Sequence, residues 1–210
     1  MPIVDMSGFT KFCYGYFTES AGNGTKYIKY NGTSAHEADL AAGTILYANF
    51  DEYFVMQGLT IVGFSEECMN LTTITIPEGV SAISGNFFDA SAVELIIPYT
   101  LKYLDASFHG IEFNSITFDQ TNGKSRLREI NSEAFCYSSV MTPITVPSSV
   151  VRIGDYAFDG CSSILFENPD GWYYIDIFGT EEKVELEFTN DGVRNKEIYS
   201  TISGNSIYHD

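Results

Sequence analysis

Residues Ile144 to Ile164 read ITVPSSVVRIGDYAFDGCSSI, and this stretch carries the pattern that decides the fold. Ile144 and Val146 flank Thr145, so a short extended segment would turn two apolar side chains to one side and a hydroxyl to the other. Pro147 follows at once, fixing φ and ending any sheet ladder. Val150 and Ile153 come three and six residues after the proline, Phe158 eleven after it, and Cys161 and Ile164 close the unit.

The same order recurs upstream. LTTITIP ends at Pro77, VELIIP at Pro98 and MTPITVP at Pro147, and the apolar pairs that follow are Val80 and Ile83, Leu101 and Leu104, and Val150 and Ile153. An aromatic then comes eleven residues after Pro77 at Phe88, ten after Pro98 at Phe108, and eleven after Pro147 at Phe158. A fourth copy lies between them. Ile116 and Phe118 match the triplet, Asp119 replaces the proline, and Leu127, Ile130, Ala134 and Phe135 complete the unit after about five extra residues around TNGKS. Internal repetition at this period is the mark of a solenoid, in which each unit buries its apolar face only against its neighbours.

The unit resembles the leucine-rich repeat of the BspA/Treponema type, whose pattern runs I-x-I-P-x-x-V-x-x-I-G-x-x-A-F-x-x-C-x-x-L. The likeness covers residues of about 59 to 168, and Cys68 with Leu71 in ECMNL is similar to the tail of a worn repeat. It implies surface presentation, through adhesion or protein binding, rather than catalysis, and brings no fixed ligand residues. The expected fold is mainly β: a short leucine-rich-repeat solenoid with a parallel sheet over 59–170, a β-rich attachment segment over 1–58, and an antiparallel hairpin cap over 171–210. Ile74, Ile76, Leu95, Ile97, Ile116, Phe118, Ile144 and Val146 are the expected inward residues. Thr75, Ile96, Thr117 and Thr145 point out and form a flat, uncharged face that is solvated, binds a partner, or pairs with a copy of itself.

At each end the pattern changes. Residues 1–58 hold many aromatics in FCYGYF and KYIKYNGT, with hairpin turns expected at AGNG and YNG and a short helix at HEADLAAG. Phe12, Tyr14, Tyr16 and Phe17 are more aromatic surface than so short a piece buries alone, and they form a second candidate contact region. Toward the C-terminus WYYIDIF and VELEF read as a hairpin, with Val184, Leu186 and Phe188 at period two, and a further strand is expected in EIYSTISGNSIYHD.

Composition narrows the function. Across 210 residues, 28 acidic against 11 basic side chains give a formal charge of -17, which opposes binding to nucleic acid or anionic lipid. Every segment is acidic, with 6 against 3 over 1–58, 14 against 5 over 59–170 and 8 against 3 over 171–210, so the charge serves solubility rather than one site. Asp5 stands where a signal peptide would carry a base, and no apolar run approaches a membrane span. Cys13, Cys68, Cys136 and Cys161 are too scattered for a metal site and read as free, buried thiols. His36, His109 and His209 lie in three different segments, and no nucleophile elbow, phosphate loop or zinc-protease motif occurs. No catalytic residue, metal or cofactor is expected. The resulting expectation is a non-enzymatic scaffold with protein partners, a copy of itself among them, in a virion or other extracellular particle. The alternative is a fragment of a bacterial cell-surface adhesin that binds host protein or glycan.

Overall fold

The computed structural model describes residues 13–19, 25–29, 44–50, 53–85, 87, 93–105, 107–176, 182–202 and 204–210. The apolar triplets form short strands because each proline stops them. In the three proline units the residue three places on donates back to the proline carbonyl, closing a turn: Val80 to Pro77 at 3.2 Å, Leu101 to Pro98 at 3.1 Å and Val150 to Pro147 at 3.1 Å. In the fourth unit Asp119 makes the turn through its side chain. Its carboxylate accepts from the Thr121 hydroxyl (2.6 Å) and backbone N–H (2.9 Å), and those bonds hold its pKa below the ordinary carboxylate value.

Two sheets result from this repeated path. The first contains Thr73–Thr75, Val93–Pro98, Glu112–Asp119 and Ser139–Val140, all parallel, with Ile74 opposite Leu95 and Leu95 opposite Ile116. Ile144–Val146 pairs instead with Ile164–Phe166, Ile144 opposite Ile164. The expected stack of Ile74, Leu95, Ile116 and Ile144 therefore breaks at its last step. A second sheet arises where the sequence shows only a repeated apolar pair. Thr60–Phe64, Ala82–Ile83, Tyr103–Leu104, Glu129–Ile130 and Arg152–Ile153 run parallel as five neighbouring rungs.

The core lies between these sheets. Of the eight expected inward side chains seven are buried, and Phe118 is half-buried against the rest. A run of rings closes the remaining side: Phe64 to Phe87 at 4.7 Å between centroids, Phe87 to Phe108 at 6.1 Å, then Phe135 and Phe158 stacked nearly parallel at 5.8 Å steps. Phe88 lies outside the described residues. The ring in the stack is Phe87, ten residues after Pro77, the spacing Phe108 has from Pro98.

Backbone approaches backbone where each coil turns from the second sheet toward the rings. Gly154 donates to the Ile130 carbonyl at 2.7 Å, and a Cβ there would come within 2.2 Å of the Ser132 nitrogen. That contact explains the glycine after Ile153.

Both ends are capped. At the start of the second sheet, Phe54–Gln57 folds antiparallel onto Thr60–Phe64. Farther toward the N-terminus, Cys13–Phe17 lies between Lys26–Lys29 and Tyr47–Phe50 in an antiparallel sheet, and the AGNG turn lies outside the described residues. The YNG turn and the HEADLAAG helix lie outside the described residues. At the other end Trp172–Ile175 and Lys183–Glu185 form the expected antiparallel pair, and Ile207–His209 joins it to Arg152–Ile153. Phe188 is buried and Leu186 half-buried, but Val184 faces solvent.

One element departs from the extended reading of EIYST, which lies in helix α1, Gly192–Thr201. The Asp191 carboxylate starts it by accepting from the N–H groups of Val193 and Arg194. Its buried side is Gly192, Asn195 and Tyr199, so no apolar stripe announces it. Asn195 donates to the Ile164 and Thr189 carbonyls and accepts from the Thr189 N–H. The Tyr199 hydroxyl donates to Gly154 O at 2.6 Å and accepts from Ala157 N at 3.0 Å, while its ring stands edge-on to Phe158. Tyr199 thus ends the ring stack and also satisfies backbone polar groups of the last coil.

Candidate functional site

The outward face of the first sheet carries the residues selected from the sequence. Thr75 lies opposite Ile96 and Ile96 opposite Thr117, in register on adjacent strands. Thr75, Thr117 and Thr145 are exposed and Ile96 is half-buried. The next outward row is not free of charge, since Glu94 sits beside Thr73 and accepts its hydroxyl at 3.4 Å. Thr145 is not paired with Thr117. It lies opposite Leu165, which extends the row by one position beyond the sequence reading.

The break between Thr117 and Thr145 has a chemical cause. Across the first step Glu94 N donates to Thr72 O. Counting from Leu95 and Ile144, the residue in the place of Glu94 is Pro143, which has no N–H to donate, and the acceptor in the place of Thr72 is Asn114. The Asn114 carbonyl instead accepts the Thr142 hydroxyl at 3.4 Å. MTPITVP differs from LTTITIP and VELIIP by this internal proline, so the signal for the break is present in the sequence.

A trough of about 280 Å³ fills the break, lined by Ser115, Thr117, Thr142, Pro143 and Thr145 along its walls and by Glu167 at one end. Glu167 ties the flanking segments together, accepting Gln120 Nε2 at 2.6 Å and Ser148 N at 2.9 Å. A second trough of about 240 Å³ adjoins it through the same Glu167, between the inserted Gln120–Ser125 turn and Ser148.

In the N-terminal candidate region, Tyr14, Tyr16 and Phe17 belong to the strand Cys13–Phe17, while Phe12 lies outside the described residues.

Cys13 belongs to the same strand Cys13–Phe17, and the other described thiols and imidazoles lie elsewhere. Cys68, Cys136 and Cys161 are buried thiols. Burial pushes the Cys161 thiol up to about 12 and raises Cys136 as well, so both are protonated, inert core groups at neutral pH. His109 stands against Tyr137 in the turn after Phe108, whereas His209 lies in the C-terminal strand beside Trp172 and Asn168. Among the described residues no three His, Cys, Asp or Glu side chains converge to hold a metal, and no helix is long and apolar enough to cross a membrane.

No curated protein and no solved structure gives a match to this chain. The family model described as BspA type leucine-rich repeat region matches residues 62–176 in six copies, more than half of the sequence. Six matched copies, the proline-closed turns and the stacked phenylalanines agree, and the chain belongs to the BspA-type leucine-rich repeat family.

Proposed function

We propose that this protein is a non-enzymatic scaffold that presents its surface to protein partners as a subunit of a larger assembly, such as a decoration, fibre or connector protein of a bacteriophage virion. The observation that carries the reading is the row Thr75, Ile96, Thr117 and Thr145. Its four side chains are uncharged on a chain of formal charge -17, so docking on them strips water from fewer carboxylates than docking elsewhere, with Glu94 at the edge of the contact. Family membership supports the coarser statement, since repeat solenoids of this kind offer extended binding surfaces. The N-terminal segment with Phe12, Tyr14, Tyr16 and Phe17 is the proposed attachment region. A copy of the chain itself is one eligible partner.

The bacterial surface adhesin is the second reading, favoured by the BspA-type repeat itself. Fractionation separates the two. A virion subunit is found in purified particles at fixed stoichiometry, and an adhesin in the cell-surface fraction. Replacing Thr75, Thr117 and Thr145 together by Lys leaves the fold intact, because all three are exposed, and abolishes partner capture. Normal assembly by this variant, together with normal assembly after deletion of residues 1–20, rejects both proposed contact regions.

A further inference from the structure

Basic side chains are scarce in this chain, and along the solenoid they are unevenly placed. Over 59–170 all five, Lys102, Lys124, Arg126, Arg128 and Arg152, come after residue 101, although that span holds 14 acidic residues. Three of them alternate in GKSRLR. Lys124, Arg126 and Arg128 are exposed there, Ser125 is half-buried and Leu127 is buried, the alternation of an extended chain. Such a chain advances about 6.6 Å every two residues, so the three charges form a line. Neighbouring coils fix that line. Arg126 N donates to Tyr99 O at 2.8 Å, Arg128 N to Lys102 O at 2.9 Å, and the Ser149 hydroxyl to Leu127 O at 2.8 Å. The Arg126 guanidinium lies 5.6 Å from the centre of the Tyr99 ring, and exposed Lys102 adds a fourth charge on the coil before Arg128.

The chain's own carboxylates leave this strip unpaired. Among the described residues, Lys102, Lys124, Arg126 and Arg128 form no ion pair. Glu129, next in sequence, pairs with Arg152 at 3.6 Å, and Glu78 accepts the Tyr99 hydroxyl instead. The complementary pattern lies in the C-terminal cap. Among the described residues, Glu185 and Glu187 are the one pair of acidic side chains two positions apart. Both are exposed, at the end of Lys183–Glu185, the outermost strand of its sheet. Lys183, on the same side, is already engaged by Asp210. Strip and acidic pair cannot meet within one chain. Glu129–Ile130 and Lys183–Glu185 are four strands apart in the sheet, about 19 Å.

We infer that copies of this chain associate head to tail, the Glu185 and Glu187 edge of one copy docking on the Lys124, Arg126 and Arg128 strip of the next. Both segments are extended and present charge at every second residue, so their spacings match. Run antiparallel, Glu185 meets Arg128 and Glu187 meets Arg126, and Lys183 falls past the end of the strip rather than against Lys124. Each guanidinium can give a carboxylate two parallel N–H groups. The two surfaces differ, so the contact is heterologous and repeats into a ring or a filament. This inference rests on the scaffold reading, in which a copy of the chain is an eligible partner, and it names the surfaces that meet.

Sedimentation equilibrium of the full chain over a range of concentrations provides the test, and the expected result is a mass that rises with concentration. Arg126→Glu with Arg128→Glu weakens association at least tenfold. Glu185→Arg with Glu187→Arg does the same, although it moves the formal charge from -17 to -13, a change that by general repulsion alone would strengthen association. Mixing the two variant chains restores association to within threefold, as does placing all four substitutions in one chain. Arg194→Glu, a charge reversal on α1, stays within twofold of the original. Thermal melts confirm that each variant is folded, and the comparison of the Arg126 and Arg128 variant with Arg194→Glu keeps the test valid should the Glu185 and Glu187 variant unfold. A chain that is monomeric at every concentration, a folded Glu185 and Glu187 variant that associates as well as the original, no recovery on mixing, or equal loss in Arg194→Glu overturns the inference. A monomeric chain found in particles defeats this contact alone, whereas a self-associating chain absent from particles and from the cell surface defeats the scaffold reading.

Discussion

The two sheets of the solenoid are made by the same repeats, yet one is continuous and the other is divided. The second sheet runs through five parallel rungs from Thr60–Phe64 to Arg152–Ile153, although most of those rungs are two residues long. The first has longer strands, up to the eight residues of Glu112–Asp119, but parts before Ile144. Strand length therefore does not decide continuity here. What decides it is whether each rung can supply the next N–H, and Pro143 cannot. The coil holds together across the break because the phenylalanine stack and the second sheet pass it without interruption.

The largest test of that comparison removes the shared support. Phe158→Ala deletes a fully buried ring packed between Phe135 and Tyr199, and a loss of about 3 to 5 kcal/mol is expected in chemical denaturation. A loss below 1 kcal/mol would mean that the stack does not carry the coil across the break. Gly154→Ala strikes the second sheet where backbones touch. Its methyl has no room beside Ser132 N, and destabilisation of about 1 to 3 kcal/mol is expected.

A smaller effect of opposite sign is expected from Pro143→Val, which returns the missing donor to the first sheet. It should add about 1 kcal/mol, the net worth of one hydrogen bond, and slow amide exchange at Thr145 and Phe118. Unchanged exchange would show that something besides the proline keeps the sheet open. The smallest effect at neutral pH concerns Cys161. The thiol should react with iodoacetamide only through unfolding, and its neutral form should contribute to stability below the ordinary thiol pKa of about 8.5. Because the folded pKa is raised to about 12, that contribution is lost as pH rises between those values. Urea midpoints of the chain and of Cys161→Ala at pH 7 and 10 check the sign: the alkaline fall should be smaller in the variant.

Much of the fold was legible because repetition makes weak signals mutually consistent. The triplets around Ile74, Leu95, Ile116 and Ile144 each contain few residues, but their common distance from a proline or its substitute identifies them as rungs. The second sheet was less visible, since Ala82–Ile83 and Arg152–Ile153 show one buried residue each, and one residue has no period. Helix α1 was hidden for a related reason. Its buried face is Gly192, Asn195 and Tyr199, which hydrophobic periodicity does not detect. Of the candidate residues, Thr75, Ile96, Thr117 and Thr145 were readable as outward by alternation, but the trough between the last two was not.

By itself the sequence determined the parts that depend on neighbours along the chain: the strand triplets, the turns after Pro77, Pro98 and Pro147, the acidic surface and the order of the repeats. Local φ restriction and side-chain alternation are enough for those. Tertiary structure alone decided which coil satisfies which backbone group. It set the Phe87 ring into the stack, gave Tyr199 the polar groups of the last coil, and turned the Asn114 carbonyl to the Thr142 hydroxyl. These outcomes depend on ring contacts and hydrogen bonds between residues more than twenty positions apart, which are specified only when the coils are stacked.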